Sequence, residues 1–327
     1  ATGGTDTENP TKYYEEEINK MGSEIEDIFI RATMDVIKDQ VDCGIDIITD
    51  GEVRRENYIH YHCRHLNGID FSNLTEKIAR TGNYKCWLPT ITNKVTAAKS
   101  FLVEEWETNQ KLSNKPVKVT IPGPMTITDT IANTYYKSDE EMGYDLAGAI
   151  NVEIKRLEKA GCKYIQVDEP LFARKPENAL NFGIKNLEKC FANVDSTKIE
   201  RITHICCGYP DKLDAFNYPK APLDSYKKIA KALDASLIDN VSIEDAHRYN
   251  DLELLRNFTK TKVIFGLIKI ASSQKETEEE IENRVLDALN YIDKQQLIAA
   301  PDCGLGHLPR QLAIEKLKIM VNVAKKF

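Results

Sequence analysis

The chain has 327 residues, 42% hydrophobic and 29% charged, which is typical of a globular protein with a sizeable core and excludes extensive disorder. Its formal net charge of −7, with lysines interleaved among acidic residues, excludes the clustered basic surface that nucleic acid requires. The sequence has no apolar run of roughly 18 residues and its first residues are small and polar, so we expect a cytoplasmic protein that does not bind membranes.

Short β-rich runs recur along the chain, and stretches with helical periodicity lie among them. Seven strands are predicted, at residues 45–49, 117–121, 164–167, 202–206, 240–243, 263–268 and 297–300. Six helices are predicted, at residues 24–40, 139–160, 223–233, 252–258, 278–295 and 312–324. Gly44 and Gly161 follow two of these helices and are typical of helix ends. An eighth strand, the first in order, is expected at residues 1–5.

The alternation of strands and helices predicts an α/β fold, a TIM (β/α)8 barrel that forms one domain over residues 1–327. Residues 60–115 form a segment longer than an ordinary connection between a strand and a helix, and it contains the turn-like sequence Thr81-Gly82-Asn83. We interpret this segment as an insertion after the second strand, a lid or hairpin over the barrel mouth followed by a helix.

Polar residues suited to metal binding or acid–base chemistry lie at or just after the carboxyl ends of five of the predicted strands. In a TIM barrel the carboxyl ends of the strands converge on one face, where active sites are built, so we expect these residues to meet. They are Asp50 and Glu52, Asp168 and Glu169, His204 and Cys206, Glu244 and Asp245, and Asp302 and Cys303.

His204 and Cys206 are two residues apart on a predicted strand, so their side chains point to the same side and suit a shared metal ion. Taken alone, the pair is more typical of buried, non-ligating side chains, because cysteine often packs as a small hydrophobic residue. Cys303 and Glu244 at other strand ends favour a metal, and this mixed set of ligands matches Zn²⁺ better than Mg²⁺ or Ca²⁺. The eight cysteines are widely spaced, so we expect reduced thiols rather than a disulfide scaffold.

Other histidines and cysteines have structural interpretations. Cys207 should face the side of the strand opposite to Cys206, as a packed thiol. His247 and His307 lie just beyond two strand ends, either as partners of the metal ligands or as exposed loop residues. A group of residues after Glu52 contains potential metal ligands. The group has no carboxylate or cysteine at the regular spacing of metal ligands, so no second metal site is expected there. This group is His60, His62, Cys63 and His65.

Six sequence blocks carry a more specific signal. They are Asp50-Gly51-Glu52-Val53-Arg54-Arg55-Glu56-Asn57, Ile121-Pro122-Gly123-Pro124-Met125-Thr126, Ile165-Gln166-Val167-Asp168-Glu169-Pro170, His204-Ile205-Cys206, Ser242-Ile243-Glu244 and Pro301-Asp302-Cys303-Gly304-Leu305. In this order they resemble the blocks of the C-terminal catalytic barrel of cobalamin-independent methionine synthase. The resemblance covers nearly the whole chain.

The resemblance implies a TIM barrel that binds one Zn²⁺ and transfers a methyl group to the thiol of homocysteine. In that family a histidine, two cysteines and a glutamate hold the zinc, while acidic groups and the backbone of the first βα turn hold the amino-acid substrate. Glu244 would be the exchangeable zinc ligand and, with Asp168, a catalytic residue. By position, the zinc ligands are His204, Cys206, Glu244 and Cys303, and the substrate-binding residues are Glu52, Asp168, Gly4 and Thr5. An alternative for Asp168 and Glu169 is an internal ion pair with Arg55 or Arg174.

The methyl donor is the point at which this chain departs from the family. Methionine synthases of this family usually have Asp and His in the seventh strand, where this chain has Lys269 and Ala271. The histidine is the expected proton donor to a folate leaving group, so we expect a corrinoid protein, methylcobalamin or a sulfonium compound to serve better than methyl-folate. Two alternatives stay open: a zinc thiol-alkyltransferase with another acceptor, similar to coenzyme M, and a non-catalytic or decarboxylase-type barrel.

Overall fold

The computed structural model describes residues 10–79, 84–215 and 217–327. The strands are β1 (Ile48–Thr49), β2 (Leu66–Ala79), β3 (Tyr84–Ala97), β4 (Val117–Pro122), β5 (Ala132–Asn133), β6 (Tyr164–Asp168), β7 (Glu200–Ile205), β8 (Asn240–Ile243), β9 (Lys262–Ile268) and β10 (Leu297–Pro301). The helices are α1 (Pro10–Met21), α2 (Glu24–Cys43), α3 (Tyr58–Arg64), α4 (Leu102–Lys111), α5 (Pro124–Thr130), α6 (Asp139–Ala160), α7 (Leu171–Arg174), α8 (Pro176–Asn178), α9 (Ile184–Cys190), α10 (Ser225–Ala235), α11 (Glu278–Ala288) and α12 (Arg310–Ala324).

Seven of the described strands form one parallel sheet in the order β1-β4-β6-β7-β8-β9-β10. Each strand of this sheet lies beside the next one along the chain, and helices connect them, which is the arrangement of a TIM barrel. The predicted α/β fold and all seven predicted strands are therefore confirmed, although the strand predicted at 45–49 is only β1 (Ile48–Thr49). The eighth strand, predicted at residues 1–5, lies outside the described residues.

Alternation along the strands gives the sheet one apolar face and one polar face. On β6, Ile165 and Val167 are fully buried in the hydrophobic core, where the connecting helices pack. Gln166 and Asp168 share the opposite face, because side chains two residues apart on a strand point the same way. This polar face carries the candidate site.

Local capping explains where the long helices begin and end. At the start of α6 the Ser138 hydroxyl accepts a hydrogen bond from the backbone N–H of Glu141 at 3.2 Å. The helices α2 and α6 end at Gly44 and Gly161, whose φ angles of 87° and 98° favour glycine, as predicted.

None of the helices in the described ranges combines the length and the apolar character that crossing a membrane requires.

Two helix predictions were wrong in extent or type. The helix predicted at 278–295 ends as α11 at Ala288, because the Asn290 side-chain amide donates to the carbonyl oxygens of Leu286 and Asp287 and so replaces the next helical turn. The helix predicted at 252–258 is a 3-10 segment, Leu252–Asn257. Several helices were not predicted, among them α1 (Pro10–Met21) and α9 (Ile184–Cys190).

The segment predicted as a lid or hairpin contains the antiparallel strands β2 and β3, followed by α4. Its base is tied to α6 through the Glu153 carboxylate, which accepts bonds of 3.1 and 3.0 Å from the backbone N–H groups of Phe101 and Leu102. This carboxylate caps the start of α4. The turn-like residues 81–83 lie outside the described residues, and the lid function stays a proposal.

Candidate metal and substrate site

The carboxyl ends of neighbouring strands bring the candidate residues to one end of the sheet. Asp168 at the end of β6 pairs in register with His204 on β7, and His204 pairs with Ser242 on β8. Parallel strands in register present their ends at the same level, so residues that follow these strands also lie there. Those that follow are Cys206 after β7, Glu244 after β8 and Cys303 after β10.

His204, Cys206 and Cys303 form a cluster, in which the three potential ligand atoms all lie within 4.8 Å of one another. His204 and Cys206 are buried, and Cys303 is half-buried. One ring nitrogen and two sulfurs are a borderline-soft donor set of the kind that zinc prefers. The structure thus brings together three of the four predicted metal ligands.

The surroundings of His204 suit a metal ligand. Its Nε2 atom is buried and has no hydrogen-bond partner among the described residues, while Nδ1 lies 2.9 Å from the Ser242 hydroxyl oxygen. A buried polar atom without a partner costs about 1–3 kcal/mol, and a metal bound to Nε2 would remove that cost. Ser242 would then accept a hydrogen bond from Nδ1–H and fix the orientation of the ring.

Glu244 lies next to this cluster but its carboxylate has a different partner. Glu244 is buried, and its Oε2 atom accepts a hydrogen bond of 3.1 Å from the Lys220 ammonium group. Burial raises the pKa of Glu244, and the neighbouring Asp302 raises it further, whereas Lys220 lowers it. The role of Glu244 as the fourth ligand stays a proposal.

Zinc binding to this cluster is expected to depend on pH. The Cys303 thiol, through a hydrogen bond, raises the pKa of Cys206 well above its usual range, and burial adds to the effect. Cys206 must therefore lose a proton when it binds a metal. For each proton released on binding, a decrease of one pH unit should lower the apparent zinc affinity about tenfold. Chelator competition at several pH values measures this slope, and Cys206→Ser should reduce it. A zinc affinity independent of pH would contradict this prediction.

Glu52 lies at a sharp turn after β1. Its φ angle of +56° is uncommon for a residue other than glycine, and the turn is supported by the bond of 2.9 Å from its backbone N–H to the Asp50 carboxylate. The Glu52 Oε1 atom accepts hydrogen bonds of 2.8 Å from both Arg55 Nη1 and the Thr120 hydroxyl. These bonds hold the carboxylate in place, and its side chain is 27% exposed, so a ligand can reach it.

Asp168 is buried, and a chain of two hydrogen bonds orients its carboxylate. Lys118 Nζ donates to Gln166 Oε1 at 2.6 Å, and Gln166 Nε2 donates to Asp168 Oδ1 at 2.7 Å. Because an ammonium group can only donate, Gln166 must turn its NH₂ group toward Asp168. Burial raises the pKa of Asp168 to about 6. The group is therefore mostly a carboxylate at neutral pH and can accept a bond from a cation.

Glu169 is structural, and the alternative of an ion pair with Arg55 or Arg174 was wrong for it. Glu169 is fully buried, and its carboxylate accepts bonds of 2.9 and 3.0 Å from the backbone N–H groups of Met125 and Thr126, in the first turn of α5. Arg55 instead bonds to Glu52 and Thr120.

The histidines in α3 and directly after it have separate partners. His60 Nδ1 lies 2.6 Å from the Thr11 hydroxyl, and burial lowers the pKa of His60 to about 4. His62 Nδ1–H donates to the carbonyl oxygen of Tyr58 at 2.7 Å, and the His65 ring stacks on Phe101 with centroids 4.0 Å apart. Within the described residues, the potential metal-binding group contains none of these histidines.

Among the described residues, Cys207, His247 and His307 lie outside the three-residue cluster. Cys207 is buried in the hydrophobic core. His247 Nδ1 lies 2.9 Å from the fully buried Asp302 carboxylate, which also accepts from the backbone N–H of His247 at 2.7 Å. His307 Nε2–H donates to the carbonyl oxygen of Pro210 at 2.8 Å. Gly4 and Thr5 lie outside the described residues.

Sequence reasoning assigned no role to several residues that support the candidate site, among them Lys118, Lys220 and Ser242. A weak signal existed for two of them, because Lys118 interrupts an apolar strand and Ser242 lies two residues before Glu244 on β8. No pattern indicated Lys220, which lies in the irregular stretch between β7 and α10.

Comparison with known proteins identifies the family. Residues 5–326 match the family model described as cobalamin-independent synthase, catalytic domain. The methionine synthase of Saccharolobus islandicus (strain Y.G.57.14) is 31% identical over 305 residues, which cover 92% of this chain and 85% of that protein. The methionine synthase of Saccharolobus solfataricus is 29% identical over 310 residues, which cover 94% of this chain and 86% of that protein.

Solved structures agree with this result. A B12-independent methionine synthase from Shewanella sp. W3-18-1, in complex with selenomethionine, is 32% identical with a TM-score of 0.84, covering 93% of this chain and 89% of that chain. A putative vitamin-B12-independent methionine synthase from Listeria monocytogenes shares the fold, at 20% identity and a TM-score of 0.75, covering 97% of this chain and 93% of that chain. The chain therefore belongs to the cobalamin-independent synthase family and matches its catalytic domain.

Proposed function

We propose that this chain is a zinc-dependent methyltransferase that transfers a methyl group to the thiol of homocysteine. The observation that carries the proposal is the cluster of His204, Cys206 and Cys303, which lies at the same end of the sheet as the Asp168 carboxylate. Membership of the methionine synthase family supports methyl transfer. A relative of 32% identity is in complex with selenomethionine, the selenium analogue of methionine.

The donor set fits zinc, which would be held by His204, Cys206 and Cys303, with Glu244 as a fourth, exchangeable ligand. When bound, zinc would remove the proton of the substrate thiol, whose free pKa is roughly 8.5, and would orient the sulfur. Glu244 is the ligand proposed to exchange, because its carboxylate oxygen is the hardest donor of the set and has a second partner in Lys220.

Glu52 and Asp168 are proposed to bind the α-ammonium group of homocysteine. A partly buried ammonium group needs charged acceptors, and these two carboxylates are held in position by Arg55 and Gln166 respectively. The backbone of Gly4 and Thr5 is proposed to complete this pocket. The partners of the chain are therefore an amino-acid thiol and a small methyl donor, and membership of a cobalamin-independent family requires no corrinoid partner.

The donor is tested by comparing methyl-folate with donors whose leaving group needs no proton. Lys269 and Ala271 follow β9, where the proton-donating histidine of the family is expected, and Ala271 is buried. General acid catalysis commonly contributes about 10²–10⁴ in rate, so turnover with methyl-folate should be slower than with a methylsulfonium compound or methylcobalamin by about that factor.

The measurement is homocysteine turnover with the three donors under one set of conditions, with the Cys303→Ser variant as the control for reaction without the zinc site. Methionine formation by the unaltered chain but not by this variant supports the proposed function. Efficient turnover with methyl-folate would contradict the donor prediction alone. No methionine from any donor would contradict the proposed function.

A further inference from the structure

Lys220 and Glu244 form an ion pair beside the proposed zinc ligands. Their side chains are only 13% and 5% exposed, and Lys220 Nζ lies 3.1 Å from Glu244 Oε2. Within the described part of the chain, the ligand atoms that converge within 4.8 Å belong to His204, Cys206 and Cys303 but not to Glu244. The carboxylate that would complete the zinc ligands therefore has a buried cation as a second partner.

Hydrogen bonds of the next residue, Ala221, hold the stretch of chain that carries Lys220. The N–H group of Ala221 donates to the carbonyl oxygen of Cys207 at 2.8 Å, and Arg248 Nη2 donates to the carbonyl oxygen of Ala221 at 2.6 Å. The Lys220 ammonium also lies 4.9 Å from the centre of the Tyr218 ring, within the range of a cation–π contact. The stretch that carries Lys220 is thus attached to the turn after Cys206.

The backbone of Glu244 is also held in place, so that only its side chain is free to change partner. Its N–H group donates to the Tyr226 hydroxyl at 3.1 Å, and Asn250 Nδ2 donates to its carbonyl oxygen at 2.7 Å. A buried carboxylate needs a charged partner at every stage, because an unpaired buried charge is strongly unfavourable. A carboxylate that leaves a metal therefore needs a cation within reach.

We propose that Lys220 is a positioning residue that receives the Glu244 carboxylate and so leaves one position at the zinc for the substrate thiol. This inference rests on the proposed zinc-dependent function and deepens it. Without the Lys220 cation, Glu244 should stay on the zinc and compete with homocysteine. With it, the carboxylate has a charged partner both on and off the zinc.

The test uses the purified full chain and the variant Lys220→Met, which removes the charge but keeps most of the side-chain stem. We expect zinc to bind more tightly and homocysteine more weakly, each by on the order of tenfold. This is the size of effect that replacing a partner of a metal ligand commonly has, with the opposite sign for zinc here because Glu244 stays on the metal. Chelator competition measures zinc affinity. In the cobalt-substituted protein, titration with homocysteine should produce the thiolate-to-cobalt absorption band at about tenfold higher concentration than in the unaltered chain.

Three further variants separate this role from a general one. Lys220→Arg keeps the charge and should restore both affinities. Lys228→Met removes an exposed lysine that pairs with Asp224, and should change neither. Lys220→Gln is measured in parallel, so that the conclusion stands if the methionine variant does not fold.

The deciding comparison places Lys220→Met in a Glu244→Gln background. If Lys220 acts through Glu244, its replacement has no further effect there on zinc or homocysteine affinity. Equal effects in both backgrounds, or no effect of Lys220→Met alone, would overturn the inference. A failure of the proposed function is distinguishable, because the unaltered chain would then bind no zinc or no homocysteine.

Discussion

Replacement of Cys303 by serine is expected to lower zinc affinity by more than about 100-fold. A loss of about 100-fold is the upper end of the range for replacing a residue that contacts a metal ligand but does not bind the metal itself. Cys303 supplies one of the three converging ligand atoms, and a serine hydroxyl is a harder and weaker donor to zinc than a thiolate. Metal analysis of the purified variant after dialysis against a chelator should show well under one zinc per chain, whereas the unaltered chain should retain about one.

The neighbouring cysteine provides the matched control for this experiment. Cys207 is next to Cys206 in sequence but is buried in the hydrophobic core, so Cys207→Ala should leave zinc content unchanged. Cys206→Ser should behave like Cys303→Ser. Full zinc occupancy in both serine variants would show that the cluster is not the metal site.

Replacement of Glu52 by glutamine is expected to weaken homocysteine binding by about 1.5–3 kcal/mol, the range for a hydrogen bond to a charged group. This corresponds to a decrease in affinity of about 10- to 150-fold. Glutamine has the same shape and can still accept hydrogen bonds from Arg55 and Thr120 through Oε1, so the turn should persist. The variant removes the charge that faces the substrate ammonium and that also pairs with Arg55, whereas zinc content should not change.

A thiol without an amino group supplies the control for the glutamine variant. If Glu52 recognises the ammonium group, the unaltered chain and Glu52→Gln should bind such a thiol with equal affinity, and Asp168→Asn should behave in the same way. Isothermal titration of the zinc-loaded proteins measures both ligands. Unchanged homocysteine affinity in both variants would contradict the proposed ammonium pocket and favour an acceptor similar to coenzyme M.

The seven strands of the parallel sheet could be predicted from sequence because each is a short, largely apolar run between polar segments. Helix ends were predicted where a local signal existed, as at Gly44 and Gly161, where glycine adopts a positive φ. The end of α11 at Ala288 was missed because side-chain bonds from Asn290 to the preceding turn replace the helix. The helical period of the sequence continues past that point and does not reveal these bonds.

The amino-acid sequence by itself determined the α/β fold and the residues that meet at the carboxyl ends of the strands. Both follow from the regular alternation of strands and helices, which brings His204, Cys206 and Cys303 to one end of the barrel. Only the tertiary structure decided how the charges are paired, because Glu244 with Lys220 and Glu52 with Arg55 depend on side-chain distances of 3.1 and 2.8 Å. The residues of these pairs lie in irregular stretches and turns. The path of such a segment has no sequence period from which the pairing could be predicted.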